Sequence, residues 1–133
     1  MKTNLDAFFK ADKNLELQGV RMEVAPGVAF FVRRFGGANA VNVSKALAKF
    51  HKPHAKKLEL GNVPAEFAAK IDAQVFVEAC VTGWEGVTDA EGKELTYSFE
   101  ACVDMLVEMP DLFNALFKHA SMFETYKEEV GNS

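Results

Sequence analysis

The sequence predicts an α+β fold: a mostly helical single domain over residues 1–133, with an N-terminal β-hairpin and about four to five helices. Three observations point there. Apolar and polar residues roughly alternate from Glu16 to Val24, and a β-branched, aromatic run extends from Val28 to Phe35, with Ala25-Pro26-Gly27 as turn chemistry between them. From Asn39 onward apolar residues recur every three or four positions. No long linker, internal repeat or low-complexity segment divides the 133 residues, a length that can bury one core without staples.

In chain order, Leu5, Phe8, Phe9 and Asp12 suggest a short helical turn whose two phenylalanines need cover. The hairpin follows and is ended by Gly36-Gly37. Asn39 or Asn42 can cap a helix carrying Val43, Leu47, Phe50 and His54 at helical spacing. Pro53 lies inside that pattern, so the helix must end, kink or restart near His51 and Lys52, because the proline ring blocks a backbone bond. A second helix is expected after Gly61-Asn62-Val63-Pro64, with Asn62 as cap and Phe67, Ile71, Val75 and Ala79 on one face. Phe76, Val77, Cys80 and Val81 widen its apolar stripe, which marks it as central, and Gly83 stops it.

Trp84 to Tyr97 reads as a second small hairpin or an extended loop around the polar run Thr88 to Lys93. Ser98 then caps a helix with Phe99, Cys102, Val103 and Leu106 inward. Pro110 starts the last helix, where Leu112, Phe113, Leu116, Phe117, Ala120 and Phe123 form one broad stripe and Lys127 suits the terminal dipole. Residues 128–133 are expected to fray.

The composition, 49% apolar and 26% charged, is that of a globular protein rather than a disordered one. The longest apolar stretch, Val28 to Val32, cannot span a bilayer, and Met1-Lys2-Thr3-Asn4 lacks a signal-peptide core, so the expected location is the cytoplasm. Cys80 and Cys102 sit in apolar, helical stretches and read as small buried hydrophobes. Most of the twelve phenylalanines are expected in the core, and any left outside would mark a partner-binding face. Charge is lopsided: +7 from Met1 to Leu58, −3 from Glu59 to Val81 and −8 from Thr82 to Ser133. That asymmetry can be satisfied within one fold, or it can steer copies together head to tail.

Candidate chemistry is sparse. His51 and His54 are three apart, but no nearby Cys or acid completes a metal set. Ser44, Ser98 and Ser121 read as cap or helix-surface residues, without the base, acid and tight turn that activate a nucleophile. Asp89 and Glu91 lie in a solvated loop, the opposite of an apolar pocket that raises a carboxyl pKa. Gly36-Gly37 lacks the spacing and lysine of a phosphate loop. The expectation is a non-enzymatic protein with no metal or cofactor. One cluster remains: Lys45, Lys49, Lys52, Lys56 and Lys57, interleaved with His51 and His54, with no acid until Glu59. It could be a solvated face balancing the acidic half, a site for an acidic protein partner, or a grip on nucleic-acid phosphates.

The order of landmarks is more informative than any one of them. Phe9-Lys10-Ala11-Asp12-Lys13-Asn14-Leu15-Glu16, Gly19-Val20, and Arg33-Arg34-Phe35-Gly36-Gly37-Ala38-Asn39 lie in the first half. Gly83-Trp84-Glu85-Gly86-Val87, Asp89, Glu91-Gly92-Lys93-Glu94-Leu95, Tyr97-Ser98 and Met109-Pro110-Asp111-Leu112-Phe113 lie in the second. Over nearly the whole chain this series resembles the tail assembly chaperones of long-tailed bacteriophages, with Arg21 a departure where an aromatic or apolar residue is expected. The motifs consist of turn and core residues, not chemical ones.

The resemblance implies a protein of the bacterial host's cytoplasm that is absent from the finished virion. It would coat the long helical tape measure protein, recruit major tail tube subunits, and self-associate as a ring or head-to-tail oligomer. A chain stopping at Ser133 would suit the shorter of the two forms such genes often produce by frameshifting. The residues expected to meet partners are Arg33, Arg34, Lys45, Lys49, Lys52, Lys56, Phe113 and Phe117. The alternative is a small nucleic-acid binder using the run from Lys45 to Lys57.

Overall fold

Asp12 sets the first boundary of the fold: its carboxylate accepts hydrogen bonds from the N–H groups of Asn14 (2.9 Å) and Leu15 (3.3 Å), capping a helix where alternation predicted the start of a strand. The computed structural model describes residues 1–128. Helix α1 is Asp6–Phe9 and α2 is Lys13–Gln18, so Glu16 is helical, not extended. The predicted hairpin follows as β1 (Val20–Ala25) and β2 (Val28–Val32), three residues shorter at its end than the apolar run suggested.

The helical arm from Ala40 to Glu59 restarts at Pro53 as expected. It runs as α3 (Ala40–Ala46), a π turn (Leu47–His51), a 3-10 turn (Lys52–His54) and α4 (Ala55–Glu59). Pro53 cannot donate, and the wide and tight turns around it absorb the missing bond. Helix α5 is Ala65–Cys80, with Pro64 and not Asn62 at its N-cap. It is the central element, burying Ile71, Ala73, Val75, Phe76, Val77, Ala79 and Cys80.

The region after α5 departs most from expectation. Val81 does not extend the helix: Val81–Glu85 is a third strand, β3, joined to α5 without a loop. It pairs antiparallel with β2, giving the sheet order β1-β2-β3. Gly86, at φ +77°, passes against the hairpin turn, and a side chain there would collide with the Gly27 carbonyl. The polar loop closes on itself through a bridge between Thr88 and Glu94. Trp84 pins it by donating from Nε1 to the Leu95 carbonyl (2.9 Å) and packing edge-on against Tyr97.

Ser98 caps α6 (Phe99–Glu108) through the Ala101 N–H, and Pro110 starts α7 (Pro110–Ala120), both as predicted. Helix α7 ends before Phe123, which belongs to a 3-10 turn (Phe123–Tyr126). Lys127 is bridged to Ala11 rather than placed in a last helical turn. The Glu128 N–H donates to the Lys10 carbonyl at 2.9 Å; the rest of the tail expected to fray lies outside the described residues.

The core joins Met22, Phe30 and Val32 of the sheet to the buried face of α5, to Cys102, Val103 and Leu106 of α6, and to Leu116 and Ala120 of α7. Tyr126 is fully buried and donates its hydroxyl to the Val32 carbonyl (2.8 Å). Both cysteines are buried and unbridged, and burial pushes each thiol up to about 12. The phenylalanines behave differently from expectation. Phe30 and Phe76 are the two that are buried; Phe8, Phe9 and Phe117 are exposed and the others lie in between. Phe35, Phe50, Phe99 and Phe113 pack against the edge of a core whose interior is filled largely by aliphatic and small side chains of α5 and α6.

Candidate partner-binding surfaces

The segment Arg33-Arg34-Phe35-Gly36-Gly37-Ala38-Asn39 is a knot that ties helix ends together. The Arg33 N–H donates to the Cys80 carbonyl (2.8 Å) and the Phe35 N–H to the Ala120 carbonyl (2.9 Å), so the last carbonyls of α5 and α7 find partners that neither helix can supply. Buried Asn39 donates from Nδ2 to both the Arg34 and Ala79 carbonyls at 2.9 Å, and its Oδ1 accepts from Asn42. Arg34 holds the buried Glu16 carboxylate, which also accepts from the Ala38 N–H. Arg33 is half-buried, and its Nε has no hydrogen-bond partner among the described residues.

Leaving this knot, the chain enters the arm that displays the lysine run. Lys45 stands on α3, Lys49 in the π turn, Lys52 in the 3-10 turn and Lys56 on α4; all four are exposed. Lys49 reaches Glu78 (3.3 Å) and lies 5.1 Å from the Phe50 ring centre. Lys45, Lys52 and Lys56 have no ion-pair partner among the described residues. At the start of the arm, Ala40, Val41, Ser44, Lys45 and Ala48 line a shallow depression, with Val41 64% exposed.

Phe113 and Phe117 are brought together elsewhere, in a cleft of about 370 Å³ formed by α7, α5 and the π turn. Phe35 packs edge-on against Phe117 at 5.0 Å, and Phe76 lies 5.3 Å from Phe113 and 5.9 Å from Phe117. Leu47 enters from the arm, and Asp72 and Asn114 supply the polar lining. Burial raises the Asp72 pKa, with the charge of His51 acting in the opposite direction. The eight residues expected to meet partners thus divide among the knot, the arm and this cleft. Leu47 and Phe35, which complete the cleft, carried no separate signal in the sequence, because their role depends on tertiary contact.

A larger open groove, about 890 Å³, lies between the start of α5 and the junction of α6 with α7. Phe67 and Val107 give it an apolar floor; Glu66, Asp104 and Glu108 line it with acid, against the single base Lys70. Phe67 is flanked by the His54 ring (5.1 Å, edge-on) and by Lys57 (5.8 Å). The groove has no local signature in the sequence, since its acids come from separate helices.

Among the described residues no group of three His, Cys, Asp or Glu side chains is placed to hold a metal ion, and no helix is long and apolar enough to cross a membrane. On the outer face of the sheet, Arg21 bonds both Glu23 and Glu85 at 3.2 Å, so the residue that departs from the resemblance is engaged in surface ion pairs. A family profile described as "YdaY prophage protein" matches residues 38–132, from the end of the glycine turn through all the later helices. No curated protein and no solved structure matches the chain.

Proposed function

The chain belongs to the YdaY prophage protein family and is of phage origin, and from that premise we propose that it is a tail assembly chaperone without catalytic activity. It acts in the cytoplasm of the bacterial host, binds the tape measure protein, helps recruit major tail tube subunits, and is absent from the finished virion. The observation that carries this reading is the aromatic cleft between α5, α7 and the arm. Leu47 and Phe117 remain 40% and 38% exposed at its mouth, while Phe76 forms its buried base.

An open apolar cleft with a few polar groups at its edge fits the nonpolar face of an amphipathic helix. A long helical protein offers many such faces in series, and covering them prevents aggregation before tube subunits arrive. Asp72 beside the cleft suits a Lys or Arg flanking that face, setting orientation more than affinity. Of the motifs that carry the phage resemblance, the segment from Arg33 to Asn39 ties the ends of α5 and α7, two walls of the cleft, and Met109-Pro110-Asp111-Leu112-Phe113 starts α7. Self-association of several copies along one tape measure completes the reading.

The test is made in cells with the prophage induced. A tagged chain is expected to co-purify the tape measure protein from lysates and to be missing from purified virions by immunoblot. Its presence as a stoichiometric virion component, or failure to capture the tape measure protein, overturns the reading.

A further inference from the structure

Two surfaces outside the aromatic cleft have opposite charge and matching polarity. The arm presents exposed Val41 and Ala48 on either side of Lys45 along the chain, with Lys52 exposed beyond Ala48, so apolar and cationic side chains share this stretch. The groove between α5 and α6 has the inverse character: Phe67 and Val107 at its floor, and Glu66, Asp104 and Glu108 around them. The two share no residue with each other or with the cleft that holds Phe113 and Phe117. One copy can therefore present both at once and leave the cleft open.

We propose that the arm of one copy docks into the acidic groove of the next, making a head-to-tail array of this chain. This rests on the self-association included in the function above and names the surfaces that mediate it. A second copy is favoured as occupant by charge complementarity. Lys45 and Lys52 lack ion-pair partners among the described residues, as do Glu66, Asp104 and Glu108. A nucleic acid would use the lysines but gain nothing from exposed Val41 or from the acidic groove. Contact between two different patches is heterologous, so copies add in one direction until a ring closes or the template ends. Opposite charges also orient the approach of each new copy.

Sedimentation of the purified full chain, with salt varied between about 0.1 and 1 M, tests this, since the screening length falls from about 10 to 3 Å over that range. The wild type is expected to form oligomers at low salt that dissociate at high salt. Lys45→Glu with Lys52→Glu, or Asp104→Lys with Glu108→Lys, should each weaken association by about tenfold or more. All these positions are exposed, so each variant should fold, which thermal melting checks.

Mixing the two variants is the diagnostic experiment. The intact arm of one fits the intact groove of the other, and the reversed arm fits the reversed groove, so the mixture should recover oligomers in which the two variants alternate, although neither variant associates alone. The chain carrying all four changes should recover oligomers, because both surfaces are then reversed. Oligomers of wild type that neither pair of changes affects would overturn the assignment of surfaces while leaving self-association standing. A wild type that stays monomeric at low salt would overturn both. Loss of binding to random duplex DNA or to the tape measure protein in the arm variant, with self-association unchanged, would assign the arm to those partners and overturn the inference.

Discussion

Glu16 on α2 lies 3% exposed beneath Gly37, its carboxylate hydrogen-bonded to the Arg34 guanidinium and to the Ala38 N–H. Gly37 sits at φ +53°, and a Cβ there would fall 2.0 Å from Glu16 Oε2. The glycine is required twice over, by conformation and by space. Arg34→Met strands a buried carboxylate and should cost about 3–5 kcal/mol, read from the urea midpoint. Gly37→Ala should destabilise through the same contact. An Arg34→Met midpoint equal to that of wild type would contradict the structural role given to the pair.

The buried thiols define an alkaline limit. Burial raises the folded-state pKa of Cys80 and Cys102 from 9.0 to about 12, so the folded protein holds these protons more tightly than the unfolded chain. Their contribution is unchanged below pH 9.0 and is lost as pH climbs toward 12, by up to about 1.4 kcal/mol per pH unit for each thiol. Tyr97 and Tyr126, both raised above 10.0 chiefly by burial, add to the loss at higher pH. Stability measured by denaturant titration should fall above pH 9, and a thiol reagent at pH 8 should label neither cysteine until the protein unfolds.

Tyr126 ties the end of the described chain to the middle of the sheet. Tyr126→Phe keeps the ring and removes the donor to the Val32 carbonyl, leaving a buried acceptor unpaired. The expected loss is about 1–3 kcal/mol in equilibrium unfolding. A change within error would show that water replaces the hydroxyl there.

The cleft separates binding from stability. Leu47→Ser and Phe117→Ser alter side chains that are 40% and 38% exposed, so each should cost about 1–2 kcal/mol of stability, less than a fully buried aromatic would. Binding to a helical segment of the tape measure protein should weaken by about tenfold or more for the pair, because such faces rely on a few apolar anchors. Fully buried Phe76 is the contrasting position: Phe76→Ala should lose about 3–5 kcal/mol of stability. Titration calorimetry beside thermal melts distinguishes the two classes.

Much of the fold was legible where a single residue decides local geometry. Ala25-Pro26-Gly27 turns the hairpin, Ser98 caps α6, Pro110 starts α7 and Pro53 restarts the arm. The third strand was not legible, because Val81 extends the apolar pattern of α5 and the strand exists through pairing with β2, about fifty residues earlier. A related conflict lies at α2: alternation from Glu16 resembles a strand, while the Asp12 side chain caps a helix there. For the surfaces, the lysine run and the stripe with Phe113 and Phe117 are local patterns. The acidic groove and the contributions of Phe35 and Leu47 arise from elements distant in sequence.

The most direct measurement of the central claim is the soluble fraction of the tape measure protein expressed alone, with this chain, or with the Leu47→Ser/Phe117→Ser variant. A soluble complex is expected with the wild-type chain, and insoluble tape measure protein both alone and with the variant. Equal solubility with and without the wild-type chain would contradict it.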